Sequence, residues 1–105
     1  MRRNKLDKLK RDLASRRRSQ QKAADLERLA RQLGRKLVKR GKEPVWESIE
    51  FEHLFPVSIP HHGGRDLAPG TRNSILNALE DDILAWEEKL DAEEEDDDGK
   101  ENGAG

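Results

Sequence analysis

Val57-Ser58-Ile59-Pro60-His61-His62-Gly63-Gly64-Arg65-Asp66-Leu67-Ala68-Pro69-Gly70-Thr71-Arg72-Asn73-Ser74-Ile75-Leu76 reads as a strand, a turn and a helix start in one run. Val57 and Ile59 alternate with Ser58, the period of a strand with one buried face. Pro56 and Pro60 bracket that strand and keep it short. Gly63-Gly64 supplies a turn that needs positive φ or a close approach of backbone. Pro69 suits the first turn of a helix, where a missing N–H costs nothing. Beyond it Ile75, Leu76, Leu79, Ile83, Trp86 and Leu90 keep a 3.6-residue period, so a long amphipathic helix follows.

Working upstream, Ser19 is a candidate N-cap for a helix whose stripe is Ala23, Leu26, Leu29, Ala30 and Leu33. Gly34 is its natural stop. Arg35 to Arg40 forms a short strand, Gly41-Lys42-Glu43-Pro44 a turn, and Val45 to Ser48 the returning strand. Ile49-Glu50-Phe51-Glu52 alternates apolar and acidic, a pattern that can extend it. Together with Val57–Ile59 this predicts three antiparallel strands between two helices over residues 19–91. Both helices packed on one sheet face give an α+β, two-layer domain.

The flanks differ in kind. Residues 1–18 are dominated by Arg and Lys, with Leu6, Leu9 and Leu13 at helical spacing. That stripe is one residue wide, so poor burial is expected. Two readings follow: a solvated basic arm, or an arm that touches phosphates without reading sequence. Residues 92–105 carry no apolar side chain large enough to bury and are expected to be a disordered acidic tail. The formal charge is -1 over 105 residues, yet residues 1–42 carry +13 and residues 76–105 carry -11. Such a split points to a polyanion-binding end and an acidic end that either solubilises the chain or folds back over the basic face.

Composition removes several function classes. There is no cysteine, so disulfides and thiolate metal sites are excluded. No apolar run reaches the roughly 18 residues of a membrane span, and no apolar signal core follows the basic N-terminus. A soluble, cytoplasmic protein without a membrane partner is expected. His61 and His62 are adjacent and lack a third ligand at suitable spacing, so no metal site is expected. Trp46 suits either base stacking or a half-buried strand position, and the strand reading is preferred. Trp86 lies in the apolar stripe of the last helix and reads as packing. Lys36, Lys39, Arg40 and Lys42, with Arg65 and Arg72, are candidates for a phosphate-binding face.

Gly34, Gly41, Pro60-His61-His62-Gly63, Asp66-Leu67, Pro69-Gly70-Thr71 and Ser74-Ile75 carry a family resemblance. Leu26 to Ile75, about half the chain, resembles the HicA family of bacterial toxins. The resemblance implies a double-stranded-RNA-binding-domain-like fold, cleavage of mRNA without a cofactor, and a small HicB-like antitoxin as partner. The family's catalytic histidine follows the first strand; Glu43 stands at that place here. Taking a proton from a 2′-hydroxyl suits a neutral imidazole with pKa ~6.5 better than an exposed carboxylate at ~4.3. Two outcomes follow from the resemblance. In one, Glu43 is the base, His62 the acid, and Lys42 or Arg65 stabilises the phosphorane. In the other, the chain binds RNA or a partner without cutting.

Overall fold

The structure, a computed structural model, describes residues 1–40, 43–60 and 63–104. In chain order these form helices α1 (Arg3–Arg16) and α2 (Ala23–Gln32), strands β1 (Arg35–Arg40) and β2 (Glu43–Ser48), and helix α3 (Pro69–Ala104). This is a small α+β unit with a two-stranded antiparallel sheet. No described helix is long and apolar enough to cross a membrane.

Strand alternation sorts the sheet into two faces. Arg35 lies opposite Ser48 and Leu37 opposite Trp46, on the face that meets the helices. Trp46 is buried beneath the Arg31 guanidinium of α2, which sits 4.9 Å from the ring centroid. The Trp86 indole of α3 donates to the Leu33 carbonyl at 2.8 Å, tying α3 to the end of α2. Gly34 follows at φ 97°, the left-handed cap expected of a helix-ending glycine. The shared core joins Leu26, Leu29 and Leu33 of the α2 region to Leu76, Leu79 and Ile83 of α3.

The third strand is reduced to one bridge. Trp46 and Val57 exchange both backbone hydrogen bonds, at 2.7 and 2.9 Å. In an antiparallel ladder the next such pairs would be Pro44 with Ile59 and Ser48 with Phe55. Pro44 has no N–H to donate. The Phe55 carbonyl is taken by Arg35 Nη1 at 3.0 Å. The Pro44 pair thereby lacks one of its two ladder bonds, whereas the Arg35 contact does not by itself exclude the Ser48 pair, since the Trp46 carbonyl accepts from both Arg35 Nη1 and the Val57 N–H. β2 also stops at Ser48, whose hydroxyl accepts the Phe51 N–H at 3.1 Å, so residues 49–52 turn away instead of extending the strand.

The N-terminal segment departs from its expected loose packing. Leu6, Leu9 and Leu13 are each less than 5% exposed, which makes α1 part of the core. Its partner is α3, running antiparallel to it. Arg3 pairs with Asp91 and Glu94, Lys10 with Glu87, and Arg17 with Glu80, at 2.6 to 3.0 Å. Seven residues forward in α1 match seven residues back in α3, the heptad register of two antiparallel helices. The opposed charges of the two chain ends are therefore partly consumed within the fold. α3 continues beyond Leu90, where disorder is expected from residue 92. The contacts of Arg3 with Asp91 and Glu94 hold its far side against α1.

The second helix begins at Ala23 instead of just after Ser19. Lys22 is its N-cap, and its N–H donates to the Asp25 carboxylate at 2.9 Å. Residues 19–22 are engaged elsewhere. The Ser19 carbonyl accepts from Arg72 Nη1 at 3.0 Å, the Gln21 carbonyl accepts from Leu67 N–H at 2.7 Å, and Lys22 bridges Asp66. That linker holds the segment after the glycine turn against the junction of α1 and α2.

Candidate nucleic-acid interface

Arg35, opposite Ser48 and so at the other end of the hairpin from Glu43, is the residue that joins the sheet to α3. Its guanidinium grips Asp82 of α3 through Nε at 2.8 Å and Nη2 at 2.7 Å. Nη1 donates to the carbonyls of Trp46 at 2.8 Å and Phe55 at 3.0 Å. One side chain thus fixes β1, β2, the loop at residue 55 and α3 together. Both charged side chains are only 1% exposed. Burial pushes the Asp82 carboxyl above its ordinary value, against the opposing pull of the Arg35 guanidinium. In sequence Arg35 resembles its basic neighbours, and its burial becomes visible only with Asp82 in place.

The segment after Val57 runs antiparallel to β2, so it advances from the Trp46 bridge toward the Pro44 end of that strand. Pro60 and Glu43 accordingly lie toward one end of the sheet. Glu43 opens β2, opposite Arg40 in the register. His62, the expected acid, lies outside the described residues, as do His61 and Lys42. Past them, Gly63 and Gly64 adopt φ 57° and 83°, the left-handed turn for which glycine is suited. Arg65 follows on that turn and is exposed.

Among the described residues, the candidate phosphate contacts do not form one surface. Lys36 and Lys39 are both exposed, but strand alternation places them on opposite faces of β1. Lys36 lies opposite Glu47 on the face away from the helices, and Lys39 opposite Pro44 on the other. Arg72 is half-buried in the first turn of α3. Besides Ser19 it bonds Asn73 Oδ1 at 3.2 Å, so it works as a tie between segments. Arg65, Lys36 and Lys39 retain solvent access.

Trp46 is 2% exposed and is a core residue, so it offers no face for a base. His53 meets Phe51 edge-on, with centroids 6.0 Å apart. Among the described residues, no group of three or more His, Asp or Glu side chains is placed to hold a metal ion.

The sequence offered residues 1–18 as an arm that touches phosphates, but not which of its cations stay free. On α1, Lys5, Lys8 and Arg11 are exposed on the side turned away from the paired row of Arg3, Lys10 and Arg17. The signal was present in the numbering: one row repeats every seven residues, the other every three. In comparisons with known proteins, no family model, curated protein or solved structure matches the chain.

Proposed function

We propose that the chain is a HicA-like RNA-acting protein, one half of a toxin–antitoxin pair working on cytoplasmic mRNA. The observation that carries this reading is the antiparallel path from β1 through β2 to the bridged segment at Val57. That path directs the segment leading to His62 toward the end of the sheet where Glu43 stands. On this reading the Val57 segment is a rudimentary third strand of a double-stranded-RNA-binding-domain-like sheet. α2 and α3 are the two helices of that domain, and α1 is an addition to it.

The proposed chemistry is attack of an RNA 2′-hydroxyl on the adjacent phosphate. Glu43 takes the hydroxyl proton, His62 protonates the leaving 5′-oxygen, and Lys42 or Arg65 stabilises the charge on phosphorus. Lys36, Arg40 and Arg65 contact phosphates, Lys39 lies on the other face of β1 and is left out of the set, and Arg72 acts through the position of the α3 start. A small HicB-like antitoxin would cover the same end of the sheet. Purified chain incubated with mRNA, beside its Glu43→Gln and His62→Ala forms, tests the proposal. Cleavage that persists in both variants rules out this site.

A second reading is favoured by one particular observation. Pro44 follows Glu43 and deprives the end of β2 of a backbone donor, at the very turn where the family carries its histidine. A binding module without cleavage fits that change. It predicts RNA retention without product in the same assay, and no growth arrest on induced expression.

A further inference from the structure

We infer that the outer face of α1 is a phosphate-binding track for single-stranded RNA, separate from the sheet end and continuous with the glycine turn. The inference rests on the RNA reading above and adds a second surface to it.

α1 carries two sets of cations with different fates. Arg3, Lys10 and Arg17 are consumed by the carboxylates of α3. The side chains of Lys5, Lys8 and Arg11 have no ion pair or hydrogen bond among the described residues, and neither has that of Arg18 just past the helix. At 100° per residue, Lys8 points about 160° away from Lys10, so neutralising one row leaves the other untouched. Lys5, Lys8 and Arg11 line one depression with Leu9, Asp12 and Gln32, between α1 and α2. Arg11 also lines the next one, with Ser15, Arg18 and Ser19. The shared Arg11 makes the two depressions one path.

The acids along this path are few. Asp12 is held by Arg16 Nε at 3.0 Å. Asp7 is exposed on the flank between the two rows. Lys5 to Arg11 covers about 9 Å of helix axis, with about 4.5 Å between successive cations. Four unneutralised charges on one helical side attract a polyanion strongly.

The path also leads somewhere. It ends at Ser19, whose carbonyl is tied to Arg72, and the neighbouring Lys22 bridges Asp66. Asp66 directly follows Arg65 and the glycine turn. A strand lying along α1 is therefore delivered to the segment that carries the candidate chemistry. The exposed face shows Asn4, Lys8, Arg11 and Ser15 but no large apolar side chain, which argues against a membrane surface as the occupant.

The test is fluorescence anisotropy of a labelled single-stranded oligouridine titrated with the full chain at several NaCl concentrations. A Lys5→Gln/Lys8→Gln/Arg11→Gln form should lower the log–log salt slope by about 2, at roughly 0.7 per lost phosphate contact. That corresponds to an affinity loss of about fifty-fold at physiological salt. Circular dichroism should be unchanged, because none of the three side chains has a partner to lose. Arg11→Gln alone should give about a third of the slope change, a readout that survives if the triple form is poorly folded. Wild-type affinity and slope in the triple form, with weakened binding in a Lys36→Gln/Arg65→Gln form, overturns the track but leaves the RNA reading standing. Failure of the unaltered chain to bind oligouridine at any salt overturns both.

Discussion

Replacing Asp82 with alanine isolates the contact that joins β1 to α3. The carboxylate receives two bonds from Arg35, at 2.7 and 2.8 Å, and both side chains are 1% exposed. Removing it leaves a buried guanidinium that cannot deprotonate, with only the Trp46 and Phe55 carbonyls to accept from it. Breaking a buried pair in this way costs about 3–5 kcal/mol. At about 4–8 °C per kcal/mol for a chain of this size, Asp82→Ala should lower Tm by about 12 °C or more. The loss should also loosen the Phe55 carbonyl, since the same guanidinium holds it. Replacing both partners, as Arg35→Met/Asp82→Leu, should recover much of the deficit, because an apolar pair avoids the desolvation cost of two charges. Differential scanning calorimetry of the two forms and the parent measures this. A fall of less than about 4 °C for Asp82→Ala would mean that Arg35 finds water or another acceptor, and the assigned role of the pair would be refuted.

The remaining predictions concern the same contacts. Leu9→Ala should cost about 2–5 kcal/mol by urea unfolding, since Leu9 is 4% exposed between α1 and the core; a neutral result would return α1 to the status of a loose arm. Lys10→Glu should lower Tm by setting two acids against each other at Glu87, and adding Glu87→Lys should restore it; both effects should shrink in high salt. Gly34→Ala should destabilise by about 1–2 kcal/mol through its positive φ, because the added Cβ would meet only Trp86 at an ordinary 3.6 Å; equal stability would contradict the left-handed cap. The raised Asp82 pKa predicts a sign in acid. Above the ordinary value of 3.8 the folded chain keeps a proton that the unfolded chain has released. Stability should therefore fall as pH rises through that window, and Asp82→Asn should lack this component of the slope.

Much of the local architecture was written in short-range pattern. The stripes from Ala23 to Leu33 and from Ile75 to Leu90 depend on a period of 3.6 within a few turns, and the Gly34 stop and the β1–β2 hairpin on the helix-ending and turn residues beside them. Backbone geometry alone sets that period, so a window of sequence suffices to see it. The glycine turn was legible for the same reason, since Gly63 and Gly64 adopt the positive φ that few other residues tolerate.

What the tertiary structure decided are the pairings between distant segments. α1 reads as a poorly buried arm until α3, 63 residues away at the Arg17–Glu80 contact, supplies both the apolar face and the carboxylates. Arg35 reads as one more surface cation until Asp82, 47 residues on, takes it into the core. The third strand is cut short at one end because Pro44, which has no N–H to give, falls where the ladder would continue, and seeing that requires the register to be known. Local chemistry chose the elements. Which charges stayed free for a partner was settled by which helix faces met, because an ion pair depends on separation in space and not along the chain.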